Sequence, residues 1–164
     1  MERGSSRLSP MHVTVVTGDL LDQKTEGIVN AWNMNVIPWW LLLPQGVSGA
    51  IKKKAGIEPF KELARKGRMR LGEAVPTGAG KLPYKAIIHV AGINMLWRAT
   101  EDSIIDSVVN AVKAAERLRL KSLAFPILGS GSGGFPEAVA EDLMLGTMRE
   151  IESSVEAVLV RYLP

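Results

Sequence analysis

Along the chain, short runs of β-branched and other apolar residues alternate with longer stretches whose apolar positions recur at helical spacing. His12-Val-Thr-Val-Val16 reads as a first strand, stopped by Thr17, Gly18 and Asp19. Ile28-Val-Asn-Ala31 is a second, and its apolar character on both faces places it centrally in a sheet. Leu20 to Gly27 leaves room between them for a turn or a single helical turn. Glu73 to Thr77 forms a further strand, which Pro76 assigns to an edge or a bulge. Ala86 to Ala91, Ser122 to Pro126 and Ala157 to Leu163 complete the strands. Helices are predicted from Val47 through Lys54 and from Pro59 to Lys66, stopped by Gly56 and Gly67. A long amphipathic helix starts at Thr100, a capping residue, with Glu101 and Asp102 in its first turn. Its apolar stripe is Ile104, Val108, Val112 and Ala115, running on to Leu118. Val139, Leu143, Met148 and Ile151 mark a last helix. Strands alternating with amphipathic helices predict a three-layer α/β/α sandwich around a largely parallel or mixed sheet.

Two stretches break this rhythm. Trp32 to Gly46 holds Pro38, Pro44 and three of the four tryptophans with almost no charge, so it cannot be one regular helix. Such a loop either tucks into the core or covers a pocket. The second stretch, Leu123 to Pro136, runs from an apolar strand through Gly129-Ser-Gly-Ser-Gly-Gly134 into Phe135 and Pro136, the last suited to the first position of a helix. Glycines let backbone N–H groups approach a ligand, and donors beside a helix start form a phosphate site. A plain flexible linker is the alternative, but both flanks are rigid elements.

Composition narrows the classes. The 164 residues are 46% hydrophobic, enough for one core, and we divide them into a loose leader, 1–10, and a single domain, 11–164. No apolar run approaches the ~20 residues needed to span a bilayer, and no membrane partner is expected. With no cysteine and two histidines, His12 and His89, neither a disulfide framework nor a protein zinc site is expected, and a cytoplasmic location is. Net charge is +3. Eight Lys or Arg residues lie between Lys52 and Arg70 against Glu58 and Glu62. With Phe60 the one aromatic among these charges, this reads as a solvated face, so nucleic acid is not the expected partner.

In a parallel sheet the polar turns after strand ends gather along one edge, where ligands of such folds bind. Asp19 there can accept from an exocyclic amine or a hydroxyl, or simply cap the next turn. Asn30 and Asn33 can each donate and accept; Asn30, inside the strand end, is assigned a structural bond. Gly46 and Val47 present amides at a helix start. Ser48, Ser130 and Ser132 lack an evident histidine partner, because His89 sits in an apolar strand as a core residue. The Gly/Ser turn lacks the P-loop lysine and matches the dinucleotide pattern poorly.

Taken together, Val16-Thr-Gly-Asp-Leu20, Val29-Asn-Ala-Trp-Asn33, Gly46-Val-Ser-Gly-Ala-Ile51, Gly72-Glu-Ala-Val-Pro-Thr-Gly78 with Leu82-Pro83, Ile87-Ile-His-Val-Ala-Gly92 and Ser122 to Gly131 resemble the macrodomain family of ADP-ribose-binding α/β modules. The resemblance spans Val13 to Tyr162 and implies a mixed six-stranded sheet between helices. It implies that Asp19 accepts from the adenine amino group, assisted by the Leu20 backbone, and that Asn33 meets the distal ribose. Gly46, Val47 and Ser48 would form a first diphosphate loop. Leu128, Gly129, Ser130, Gly131, Ser132, Gly133 and Gly134 would form a second, with Phe135 packing beyond it. Asn33 and Ser48 are the implied catalytic residues, with Asn35, Glu101 and Asp102 in reserve, and no cofactor or metal is implied. Hydrolytic members carry an aspartate where this chain has Ser48, and their glycine-rich link is replaced here by the Pro/Trp segment, as in a bacterial branch with a Pro-Trp-Trp insertion. The implied function is removal of mono-ADP-ribose from acidic protein side chains, with ADP-ribose and mono-ADP-ribosylated proteins as partners. The alternative is a module that binds ADP-ribose or a related nucleotide without turnover.

Overall fold

A computed structural model describes residues 9–33, 46–93, 98–130 and 134–163. The strands are β1 (Val13–Gly18), β2 (Gly27–Asn33), β3 (Ala74–Thr77), β4 (Ala86–Ile93), β5 (Ser122–Pro126) and β6 (Glu156–Tyr162). The helices are α1 (Gly46–Ala55), α2 (Glu58–Arg65), α3 (Glu101–Arg117) and α4 (Glu137–Glu150), with one 3₁₀ turn at Leu20–Asp22. The strands form one six-stranded sheet in the order β1-β6-β5-β2-β4-β3. All neighbours are parallel except β3, which pairs antiparallel to β4. The mixed three-layer sandwich read from the pattern is therefore the observed fold. Pro76 lies on the edge strand β3, where its missing N–H breaks no ladder with a further strand.

Alternation of side chains across the pleat divides the core into two halves. Val29, Ile88, Leu123 and Leu159 face α3 and α4, meeting Ile104, Val108, Ala140, Met144 and Met148. Their chain neighbours Ile28, Ile87, Ala124 and Val160 point the other way, against Ile51, Ala55 and Phe60 of α1 and α2. Both faces are covered, which is why these strands read as continuous apolar runs. Thr100 caps α3 as expected: its hydroxyl accepts from Ser103 N at 3.0 Å while the Ser103 hydroxyl accepts from Thr100 N at 2.9 Å. Two expectations need correction at α4. Pro136 is the N-cap rather than the first helical residue, and Val139 is 47% exposed in the first turn; Met148 is buried and Leu143 and Ile151 pack against the core as expected, with Ala140 and Met144 completing the core face.

Of the expected leader, 1–8 lie outside the described residues, but Ser9 and Pro10 are held. Pro10 bridges antiparallel to Glu152, the Ser9 carbonyl accepts from Ser153 N at 3.2 Å, and Met11 is buried in the core. No helix among the described residues is long and apolar enough to cross a membrane.

Candidate functional site

Parallel pairing puts the carboxyl ends of β1, β2, β4, β5 and β6 on one edge. Asp19, Asn33, the start of α3, and the turn from Leu128 all leave the sheet there. A register shift between Trp32 and Asn33 sets Asn33 opposite Ile93, so β4 carries a bulge at Gly92 against the end of β2. β2 and β5 pair only at Gly27↔Leu123 and Ile28↔Ala124, after which their carboxyl-terminal halves separate. The α1 start and the Gly/Ser turn follow these two strands, so the split opens between the two expected diphosphate loops.

The turn after β5 is braced by the protein itself. Gly129 has φ +81°, and a Cβ there would lie 2.8 Å from Ala99 Cβ and 3.1 Å from Ile104 Cδ1, so both conformation and space demand glycine. The Gly129 carbonyl accepts from Phe135 N at 2.9 Å, closing the turn on itself, and Gly134 turns the chain at φ +67°. Ser130 Oγ donates to the Ile127 carbonyl at 3.3 Å. Leu128 is buried, and its N–H donates to Met144 Sδ at 3.3 Å, so this amide is already engaged. Phe135 is half-buried against the α3/α4 core. Gly131, Ser132 and Gly133 lie outside the described residues, as do Asn35 and the Trp/Pro segment, 34–45.

At its described end, the opposing turn is open at one hydroxyl. α1 begins at Gly46, so the Gly46, Val47 and Ser48 amides belong to its first turn, where a helix leaves N–H groups without intrahelical acceptors. Ser48 Oγ is buried and has no hydrogen-bond partner among the described residues. Asn33 ends β2 at the same edge. Glu101 and Asp102, the reserve candidates, are exposed in the first turn of α3.

Asp19 performs the capping job open to it: Oδ1 accepts from Leu21 N at 2.9 Å at the head of the 3₁₀ turn. That leaves the second carboxylate oxygen for another donor. Leu20 is buried below it. Gly18 pairs in register with Tyr162 of β6, which places a 67%-exposed aromatic beside the Asp19 turn. Sequence reasoning missed Tyr162, since its neighbourhood depends on a pairing between the first and last strands.

Beneath the bulge lies a buried polar chain. Asn30 Nδ2 donates to His89 Nδ1 at 2.9 Å; a neutral imidazole then carries its proton on Nε2, which donates to Thr77 Oγ1 at 2.8 Å. Thr77 Oγ1 passes its own hydrogen to the Gly78 carbonyl at 2.9 Å. Burial, aided by the positive charge of Lys66, pushes the His89 pKa down to about 3. The ring is boxed by Trp32 and Phe60, with centroids at 6.3 and 5.7 Å. His89 is thus a core residue and no candidate base, and Asn30 has the structural bond assigned to it; Asn30 Oδ1 has no partner among the described residues.

Residues 29–144 match the Macro domain family model. The chain belongs to the macro domain family. A Macro domain-containing protein of Listeria monocytogenes is 35% identical over 90% of this chain and 88% of its own length. A protein of Escherichia fergusonii named O-acetyl-ADP-ribose deacetylase is 35% identical over 84% of this chain and 78% of its own. Among solved structures, the Oceanobacillus iheyensis macrodomain with ADP superposes at a TM-score of 0.78 with 28% identity, covering 96% of this chain and 86% of that one. The macro domain fold thus accounts for the gathered turns, and the relatives' names point to the chemistry to test at them.

Proposed function

We propose that this macro domain binds ADP-ribose along the carboxyl edge of its sheet and hydrolyses an ester at the distal ribose. The observation that carries the reading is the pair of turns flanking the split between β2 and β5. One presents the amides of a helix start, the other a glycine-built loop closed by the Gly129–Phe135 bond. Amides from both sides suit a diphosphate, whose charge a helix N-terminus also favours. The free oxygen of Asp19 then accepts from the adenine amine, with the exposed Tyr162 ring nearby for its face. Asn33, at the end of β2, meets the distal ribose. The Escherichia fergusonii relative's name supports an ester substrate, because an acyl group on ADP-ribose and ADP-ribose carried on a protein carboxylate share that linkage.

Hydrolysis places water across the ester C–O bond and yields ADP-ribose and a carboxylate. Ser48 Oγ, buried at the start of α1 with no partner of its own among the described residues, is suited to orient that water rather than to deprotonate it. Glycosyl esters already have a good leaving group, so positioning and charge stabilisation suffice without a strong base. Purified protein incubated with acid-linked mono-ADP-ribosylated protein and with O-acetyl-ADP-ribose is expected to release ADP-ribose. Binding of free ADP-ribose with no release from either substrate would reject turnover. The second reading, a module that binds without turnover, is favoured by two features: a serine stands at the start of α1, and the His89 imidazole is locked away in the core.

A further inference from the structure

We infer that Met144 is a positioning residue for the Gly/Ser turn, its thioether setting the direction in which the turn leaves β5; this rests on the reading of that turn as a diphosphate loop. Leu128 is 1% exposed and Met144 fully buried, so the Leu128 N–H has no access to water. Its partner is Met144 Sδ at 3.3 Å, reached from the second turn of α4. A buried N–H without an acceptor is costly, and a thioether is a weak acceptor that fills a hydrophobic site without bringing a polar group into it. The bond fixes the Ile127–Leu128 peptide plane, one peptide ahead of the turn at Gly129. The chain then turns at φ +81° with Gly129 pressed on Ala99 and Ile104, and returns through the Phe135 N–H to the Gly129 carbonyl. Met144 therefore stands outside the ligand yet sets where the first amides of the loop point. It also keeps the Leu128 amide from serving as one of them.

Leucine at 144 keeps the volume and removes the acceptor; glutamine restores an acceptor on a chain of similar length. Titration of wild type, Met144→Leu and Met144→Gln with ADP and with adenosine separates the diphosphate from the base, and hydrogen exchange at the Leu128 amide reads the bond directly. Met144→Leu is expected to bind ADP roughly tenfold more weakly, as an orphaned buried N–H would predict. Adenosine affinity should be unchanged and Leu128 exchange faster, and Met144→Gln should recover both ADP affinity and protection. Equal losses for ADP and adenosine, or a Leu128 amide that stays protected in Met144→Leu, would overturn the inference. If wild type binds neither ligand, the reading of the site as an ADP-ribose pocket falls, and the exchange measurement alone decides whether Met144 holds the turn.

Discussion

The two turns that flank the split in the sheet are built by opposite means. After β5, the chain's own groups are matched to each other: Leu128 to Met144, Gly129 to Phe135, Ser130 to Ile127. After β2, the support comes from below, through the Asn30–His89–Thr77 chain, while the α1 start above keeps a buried hydroxyl with no described partner. A turn whose bonds are already made holds its shape without ligand. One with an unmatched donor is completed by what binds. On the proposed reading, shape and chemistry are divided between the jaws, the braced turn supplying a rigid cradle and the open one a hydroxyl with no described partner.

The largest effect should come from breaking the braced turn. Gly129→Ala combines a positive φ with a Cβ pressed on Ala99, a cost of about 2–4 kcal/mol. Urea unfolding should show this loss, and calorimetry a parallel loss of ADP-ribose binding. The support below the open turn should fail with acid. His89 titrates near 6.5 when unfolded and near 3 when folded, so below pH 6.5 the unfolded chain takes up a proton that the native core refuses. Stability carried by this group is complete above pH 6.5 and falls by about 1.4 kcal/mol per pH unit on acidification, or about 2–3 kcal/mol by pH ~4.5. His89→Gln, compared with wild type across that range, should lack this part of the slope. A smaller effect is expected at the Asp19 turn, where Asp19→Ala removes a cap worth about 0.5–2 kcal/mol and should weaken ADP-ribose more than a ligand lacking the adenine amine. The smallest stability change belongs to Ser48→Ala. Removing an unbonded hydroxyl should leave unfolding within about 0.5 kcal/mol of wild type while ester hydrolysis drops. A marked destabilisation there would erase the contrast between the turns.

The sheet was legible because its strands are apolar on both faces, and the turns because glycine, proline and capping residues punctuate them. Thr100, Pro76 and His89 each behave as their chemistry and setting dictate. What escaped depends on pairings distant in sequence. Tyr162 becomes part of the site edge only because β6 lies against β1, and Met144 matters only because α4 folds back under the strand it follows. Val139 misled because local periodicity cannot tell a stripe's centre from its flank at a helix end. The isolated pattern could not show that Asp19 both caps and keeps an oxygen free, since those roles differ only in where two oxygens point.

The strand order has a consequence for how the site is assembled. Among the described residues β1 has one neighbour in the sheet, β6, and β6 is the last of the described strands. β1 is thus expected to dock late, since closing a loop from residue 18 to residue 162 must wait for nearly everything between. Until then the Asp19 turn lacks its Tyr162 neighbour, whereas the β2–β4 and β5–α4 units can already assemble. On the proposed reading, a nascent macro domain would carry its phosphate jaws before it could tell one base from another.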